Sequence, residues 1–245
     1  MPAGAVECAL SAGHQQDSGR RRVDDSDQSD QSDQLTSQRV SAFIAALGSS
    51  APAPGGGAAS ALVGALAAAL AEMVARFTVG RAKYRTVEPQ AQGILQRVEE
   101  ARTALLALVE ADARAFQVVS AAYGLPKTSD DERQARDSAI QAALAQAMQP
   151  PLETLRHSLT VMTLAREIAE IGNVTVLSDA ACAATMGEAA VRAAALNVLA
   201  NVALMTASAA TEEALAEARA ACDEAARLSQ RTLGVVYQRM GAEGL

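Results

Sequence analysis

The sequence predicts an all-α protein, a bundle of about six to seven helices. Three observations carry that prediction. Half of the 245 residues are apolar while only 2% are aromatic, so the core must be built from Ala, Leu and Val at short helix–helix distances. Apolar residues recur at helical spacing through most of the chain, and no period-two strand pattern competes. Turn and cap signals then cut the chain at short intervals, which suits a bundle with short connections.

Residues 1–34 are polar and carry the repeat SDQSDQSDQ, a composition that cannot bury enough apolar surface to fold, so this tail is expected to be disordered. The folded domain then spans residues 35–245. Thr36 or Ser37 suits the N-cap of a short helix that places Val40, Phe43, Ile44 and Leu47 on one face. Pro52-Ala53-Pro54-Gly55-Gly56-Gly57 makes a bare loop, and Ala58 to Val79 reads as the central helix. Pro89 fits the first turn of a long helix reaching Tyr123, which Leu125-Pro126-Lys127 ends. Ser129 to Glu132 has capping-box spacing and opens a helix that stops before Pro150-Pro151. Further helices follow over Pro151 to Ile171, from a Ser178-Asp179 cap through Met205, and from Thr211 onward.

Composition also restricts function. A net charge of −7 leaves no broad basic face for nucleic acid. Three widely spaced cysteines suit reduced thiols in a cytoplasmic protein, and two histidines cannot make a His-based metal site. The nearly uncharged stretch Ala58 to Ala71 is short and Ala/Gly-rich, which fits a buried bundle helix better than a membrane span.

Four features bear on chemistry. The glycine loop feeding a helix is either a hinge or a seat for an anion or polar ligand edge, since unpaired N–H groups gather there. Asp112 falls within the apolar stripe of Leu105, Leu108, Val109, Phe116 and Val119. It is either a rim residue or a buried acid with a raised pKa, suited to proton transfer. Asn197 and Asn201, four apart on an Ala/Leu/Val helix, serve either interhelical hydrogen bonding or a ligand, and Asp179 equally suits the positive end of a helix dipole. Against nineteen arginines, Lys83 and Lys127 are the only lysines, either surface survivors or places where a compact charge matters.

The blocks PAPGGGAASALVGALAAALAEMVARFTVGRAKY, DARAF, AAYGLPKTSDDERQAR and GNVTVLSDAA through ALNVLANVA occur in that order. Together they resemble the cyclodeaminase/cyclohydrolase family of tetrahydrofolate one-carbon enzymes, over roughly Leu35 to Ala225. The resemblance implies an all-helical homodimer with a folate site near the subunit interface, no metal or organic cofactor, and Asp112 as the catalytic residue. It further implies a pocket walled by Pro54, Gly55, Gly56, Gly57, Arg81, Lys83, Tyr84, Lys127, Ser178, Asp179, Asn197 and Asn201. Arg81, Lys83 and Lys127 would suit the glutamate tail of folate. This chain departs from the family pattern at Ala82, where a basic residue is usual, and at Thr175, where a second Asn is usual. The activity expected is hydrolysis of 5,10-methenyltetrahydrofolate to 10-formyltetrahydrofolate. Formiminotetrahydrofolate cyclodeaminase activity is the alternative, and a non-catalytic folate-binding or scaffold protein is a second one.

Overall fold

The computed structural model describes residues 35–242, so the expected disorder of residues 1–34 lies outside it. The described residues form seven α-helices and no strand: α1 (Val40–Leu47), α2 (Gly56–Arg76), α3 (Glu88–Tyr123), α4 (Asp130–Ala147), α5 (Gln149–Ile171), α6 (Leu177–Val202) and α7 (Ala209–Met240). The helices α3, α2, α6 and α7 pack side by side in that order, and α5 lies against all four. Helix α4 returns along the C-terminal part of α3.

Small residues make this layering possible. Seven alanines of α2 are less than 9% exposed. A Cβ on Gly64 of α2 would come 2.8 Å from Ser158 Oγ of α5, and one on Gly187 of α6 would come 2.5 Å from Met162 Cγ of α5. The helix axes are therefore held at a separation that no larger residue fits, and dispersion between closely approached backbones substitutes for aromatic bulk. By length and hydropathy α2 and the segment Val174–Val202 could each cross a membrane, but the inner side of α2 is sealed against α3, α5 and α6.

Local signals set most boundaries. Ser129 Oγ accepts from Glu132 N while the Glu132 carboxylate accepts from Ser129 N, the reciprocal pair that opens α4. Pro150 and Pro151 sit in the first turn of α5, where their missing N–H groups cost nothing. Helix α7 starts earlier than expected, because Ser208 is its N-cap and Thr211 is the third helical residue of a second capping box.

Two expectations require correction. Ser178 does not cap α6: the 3-10 turn Val174–Val176 runs straight into the helix, so Ser178 already lies inside its first turn. Nor does α1 bury a whole face. Arg39 precedes it, Phe43 alone is buried, and Val40 and Ile44 are 74% and 61% exposed. The helix rests on Ala58, Ala61 and Val109 through that single aromatic ring. Thr36 instead uses its N–H and Oγ1 on the Glu110 carboxylate, 74 residues away.

Candidate active site

The antiparallel run of α2 and α6 gives the row of helices two distinct ends. At one, the N-terminus of α2 meets the C-terminal part of α6 and the middle of α3 around a cavity of about 290 Å³. Gly55, Gly56, Gly57, Asp112, Asn197 and Asn201 all line it, with Pro52, Ala53, Phe116, Val119, Leu144 and Leu204 among the remaining walls.

Asp112 is the centre of this arrangement. Its Oδ2 accepts a hydrogen bond from Ala58 N at 2.8 Å, one of the free N–H groups of the first turn of α2. A Cβ on Gly57 would come 2.6 Å from Oδ2 and closer still to Cγ and Oδ1, so no side chain can occupy position 57 while Asp112 holds this position. Gly55 has extended dihedrals, and among the described residues only Gly80 and Gly241 have φ in the left-handed region. Gly57 therefore serves this arrangement by lacking a side chain, not by adopting a backbone closed to other residues.

Burial pushes the Asp112 carboxyl above the usual carboxylate range, and the bond from Ala58 N opposes that rise without cancelling it. Among the described residues no Lys or Arg lines the cavity. The result is a partly buried carboxylate, one oxygen fixed by a helix N-terminus and the other without a partner, facing a mostly apolar chamber. Such a group can accept a proton from water and can offset positive charge on a bound ligand.

The residues expected at the site divide. Gly55, Gly56, Gly57, Asp112, Asn197 and Asn201 come together; Pro54 is buried behind the turn and is replaced in the lining by Pro52 and Ala53. Lys127 is exposed in the turn after α3 and lies outside the lining. Arg81, Lys83, Tyr84, Ser178 and Asp179 gather at the opposite end, about 30 Å away, the length of a 21-residue helix. There the Tyr84 hydroxyl accepts from Val174 N at 3.2 Å and donates to Asn173 Oδ1 at 3.4 Å, and the residue is 9% exposed. Lys83 stands outside it, its Nζ 5.5 Å from the ring centre.

Sequence reasoning missed Leu144 and Leu204, because walls supplied by α4 and the α6–α7 turn carry no local mark. Phe116 and Val119 had a signal, one and two turns beyond Asp112, but the same spacing describes a core stripe. Among the described residues no three His, Cys, Asp or Glu side chains cluster as metal ligands.

Known proteins resemble this chain in sequence and in fold. Over 203 residues the chain is 40% identical to a methenyltetrahydrofolate cyclohydrolase of Methylorubrum extorquens, covering 83% of this chain and 98% of that one. It is 37% identical to the formimidoyltransferase-cyclodeaminase of Rattus norvegicus over 70% of this chain, spanning 32% of the rat protein. The crystal structure of a formiminotetrahydrofolate cyclodeaminase from Thermotoga maritima superposes with a TM-score of 0.73 at 31% identity, over 82% of this chain and 96% of that one. Residues 39–220 match the Formiminotransferase-cyclodeaminase family, and the chain belongs to it.

Proposed function

We propose that this chain is a methenyltetrahydrofolate cyclohydrolase, opening 5,10-methenyltetrahydrofolate to 10-formyltetrahydrofolate. One observation carries the proposal: a partly buried carboxylate faces a chamber that no cation lines. The methenyl substrate brings the missing positive charge, spread over the N5–C–N10 amidinium. Water adds to that carbon and passes a proton to the unbonded Oδ1 of Asp112. The C–N5 bond then breaks, its electron pair goes to N5, and N5 takes a proton. As the carbonyl forms on N10, the hydroxyl proton leaves, so the reaction consumes one water and releases one proton. Asp112 suits both transfers because its raised pKa lies nearer to neutrality than that of an ordinary Asp.

The likeness to the Thermotoga protein supports a second reading, formiminotetrahydrofolate cyclodeaminase. In that reaction N10 attacks the formimino carbon and Asp112 returns a proton to the departing ammonia. The purified chain supplied with each folate separates the two: loss of methenyl absorbance marks the hydrolase, and ammonia release marks the deaminase. Turnover of neither would overturn both readings and leave the non-catalytic alternative.

A homodimer is the assembly we infer. Leu66 and Met73 on α2, Phe77 at its C-terminal cap, and Leu196 and Leu199 on α6 are between 39% and 66% exposed, on neighbouring helices of the row. Apolar side chains so placed suit a second copy. Arg81 and Lys83 lie beyond the far end of α2, too distant to meet a ligand in their own cavity, so any part they take with the glutamate tail comes from the partner copy. Lys127, at the cavity's own end of α3, is the candidate within one protomer.

A further inference from the structure

The polar side chains of the cavity offer acceptors in a fixed orientation. Asn197 donates from Nδ2 to Ala193 O, one turn back on α6, at 2.8 Å. Asn201 donates from Nδ2 to Ala147 O at 3.1 Å. A main-chain carbonyl can only accept, so each bond fixes which end of its amide is nitrogen and leaves Oδ1 as the other end. Neither Oδ1 receives a hydrogen bond from any described residue, yet neither is sealed from the cavity that both residues line. The Asn197 amide lies directly beneath the glycine turn, where a Cβ on Gly56 would be 3.5 Å from its Oδ1. Asp112 Oδ1 is a third acceptor without a donor.

Three open acceptors in a chamber otherwise lined by Phe116, Val119, Leu144 and Leu204 favour a flat ligand with N–H donors along its edge. They disfavour a carboxylate, which would meet oxygens and no cation. The cavity, about 290 Å³, is at the lower limit of small-molecule sites, with room for a bicyclic ring system but not for a whole folate. Resting on the folate reading above, we propose that Asn197 and Asn201 are specificity-determining residues that accept hydrogen bonds from the N–H edge of the reduced pterin. The pterin head enters the cavity, and the aminobenzoylglutamate tail stays outside it.

The test uses two fragments and the full chain. Asn197→Ala deletes an amide bonded only within its own helix, and Ala suits a helix interior, so circular dichroism should match the parent. Calorimetric titration with 6-methyltetrahydropterin, kept anaerobic, probes the head, and titration with 4-aminobenzoylglutamate probes the tail. The head fragment should bind the parent chain and lose about fivefold to tenfold in affinity in Asn197→Ala, the scale of one lost hydrogen bond. The tail fragment should respond equally to both proteins. Equal head affinity in the two proteins overturns the assignment, as does no head binding at millimolar concentration or a loss confined to the tail fragment. Turnover of methenyltetrahydrofolate by the parent chain decides the functional reading separately. A chain that turns it over but fails the fragment test has the function without this recognition.

Discussion

The two ends of α2 are built from similar polar residues and treat them in opposite ways. At its C-terminal end the hydroxyls of the buried residues Thr78 and Tyr84 are both hydrogen-bonded. Thr78 Oγ1 donates to Val74 O and accepts from Asn173 N, Asn173 Nδ2 donates to Phe77 O, and Arg239 donates to Ala169 O and Gly172 O. At the N-terminal end Asp112, Asn197 and Asn201 each make one hydrogen bond and leave an oxygen open. The matched end clamps three chain segments together, and the other end turns open acceptors toward a cavity. Polar groups left without a protein partner beside a cavity mark where chemistry is to be sought.

Substitutions at both ends should sharpen this contrast. The largest effect belongs to Asp112→Asn, which should lower kcat by about 10²–10⁴-fold with folate binding retained. Steady-state kinetics alongside equilibrium binding checks this, and a variant with kcat near the parent's would remove Asp112 from the mechanism. Next comes Gly57→Ala, whose new methyl group must displace the carboxylate; a misplacement of about 1 Å costs on the order of 10²-fold in rate. The same chemical change at Gly93, exposed on α3 with nothing within 4 Å of its Cβ, should stabilise the protein by about 0.5–1 kcal/mol and leave activity alone. Two Gly→Ala variants of like effect would break the comparison.

At the matched end, Thr78→Val should cost about 1–3 kcal/mol in denaturant unfolding, because Asn173 N–H loses its acceptor, with kcat unchanged.

The smallest effect is on pH dependence. Asp112 is protonated more readily in the folded than in the unfolded chain. Between its ordinary value and its raised folded value the folded state binds more protons, so its contribution to stability falls as pH rises through that window. Asp112→Asn should therefore gain stability relative to the parent toward neutral pH, with the advantage vanishing in acid. Unfolding curves across pH test the sign. For the parent, kcat/KM should decline on acidification with a midpoint above that of an ordinary Asp.

Much of the fold was legible in the chain because its signals are local. The Ser129 and Glu132 capping pair, Pro89 and the Pro150-Pro151 step each act within one turn of helix, and the boundaries fall within a few residues of where they point. The importance of Asp112 was legible because a carboxylate inside an apolar stripe is anomalous at any single site. The grouping of the site residues was not. Thr78 to Tyr84 follows the glycine loop closely in sequence, yet a straight helix separates them by its full length. Nor could spacing say that Tyr84 is occupied by Asn173 and Val174, residues about 90 positions away.

The sequence by itself determined that the chain is helical, where most of its helices start and stop to within a few residues, and that one acid stands out of place. Those properties depend on neighbours within about one turn, which the order of residues specifies directly. Only the tertiary structure decided which end of the bundle holds the cavity beside Asp112, why position 57 admits no side chain, and which way the two asparagine amides face. Each of these depends on groups brought from distant segments to within hydrogen-bonding or van der Waals distance, and the packing of α2 against α3 and α6 sets that proximity.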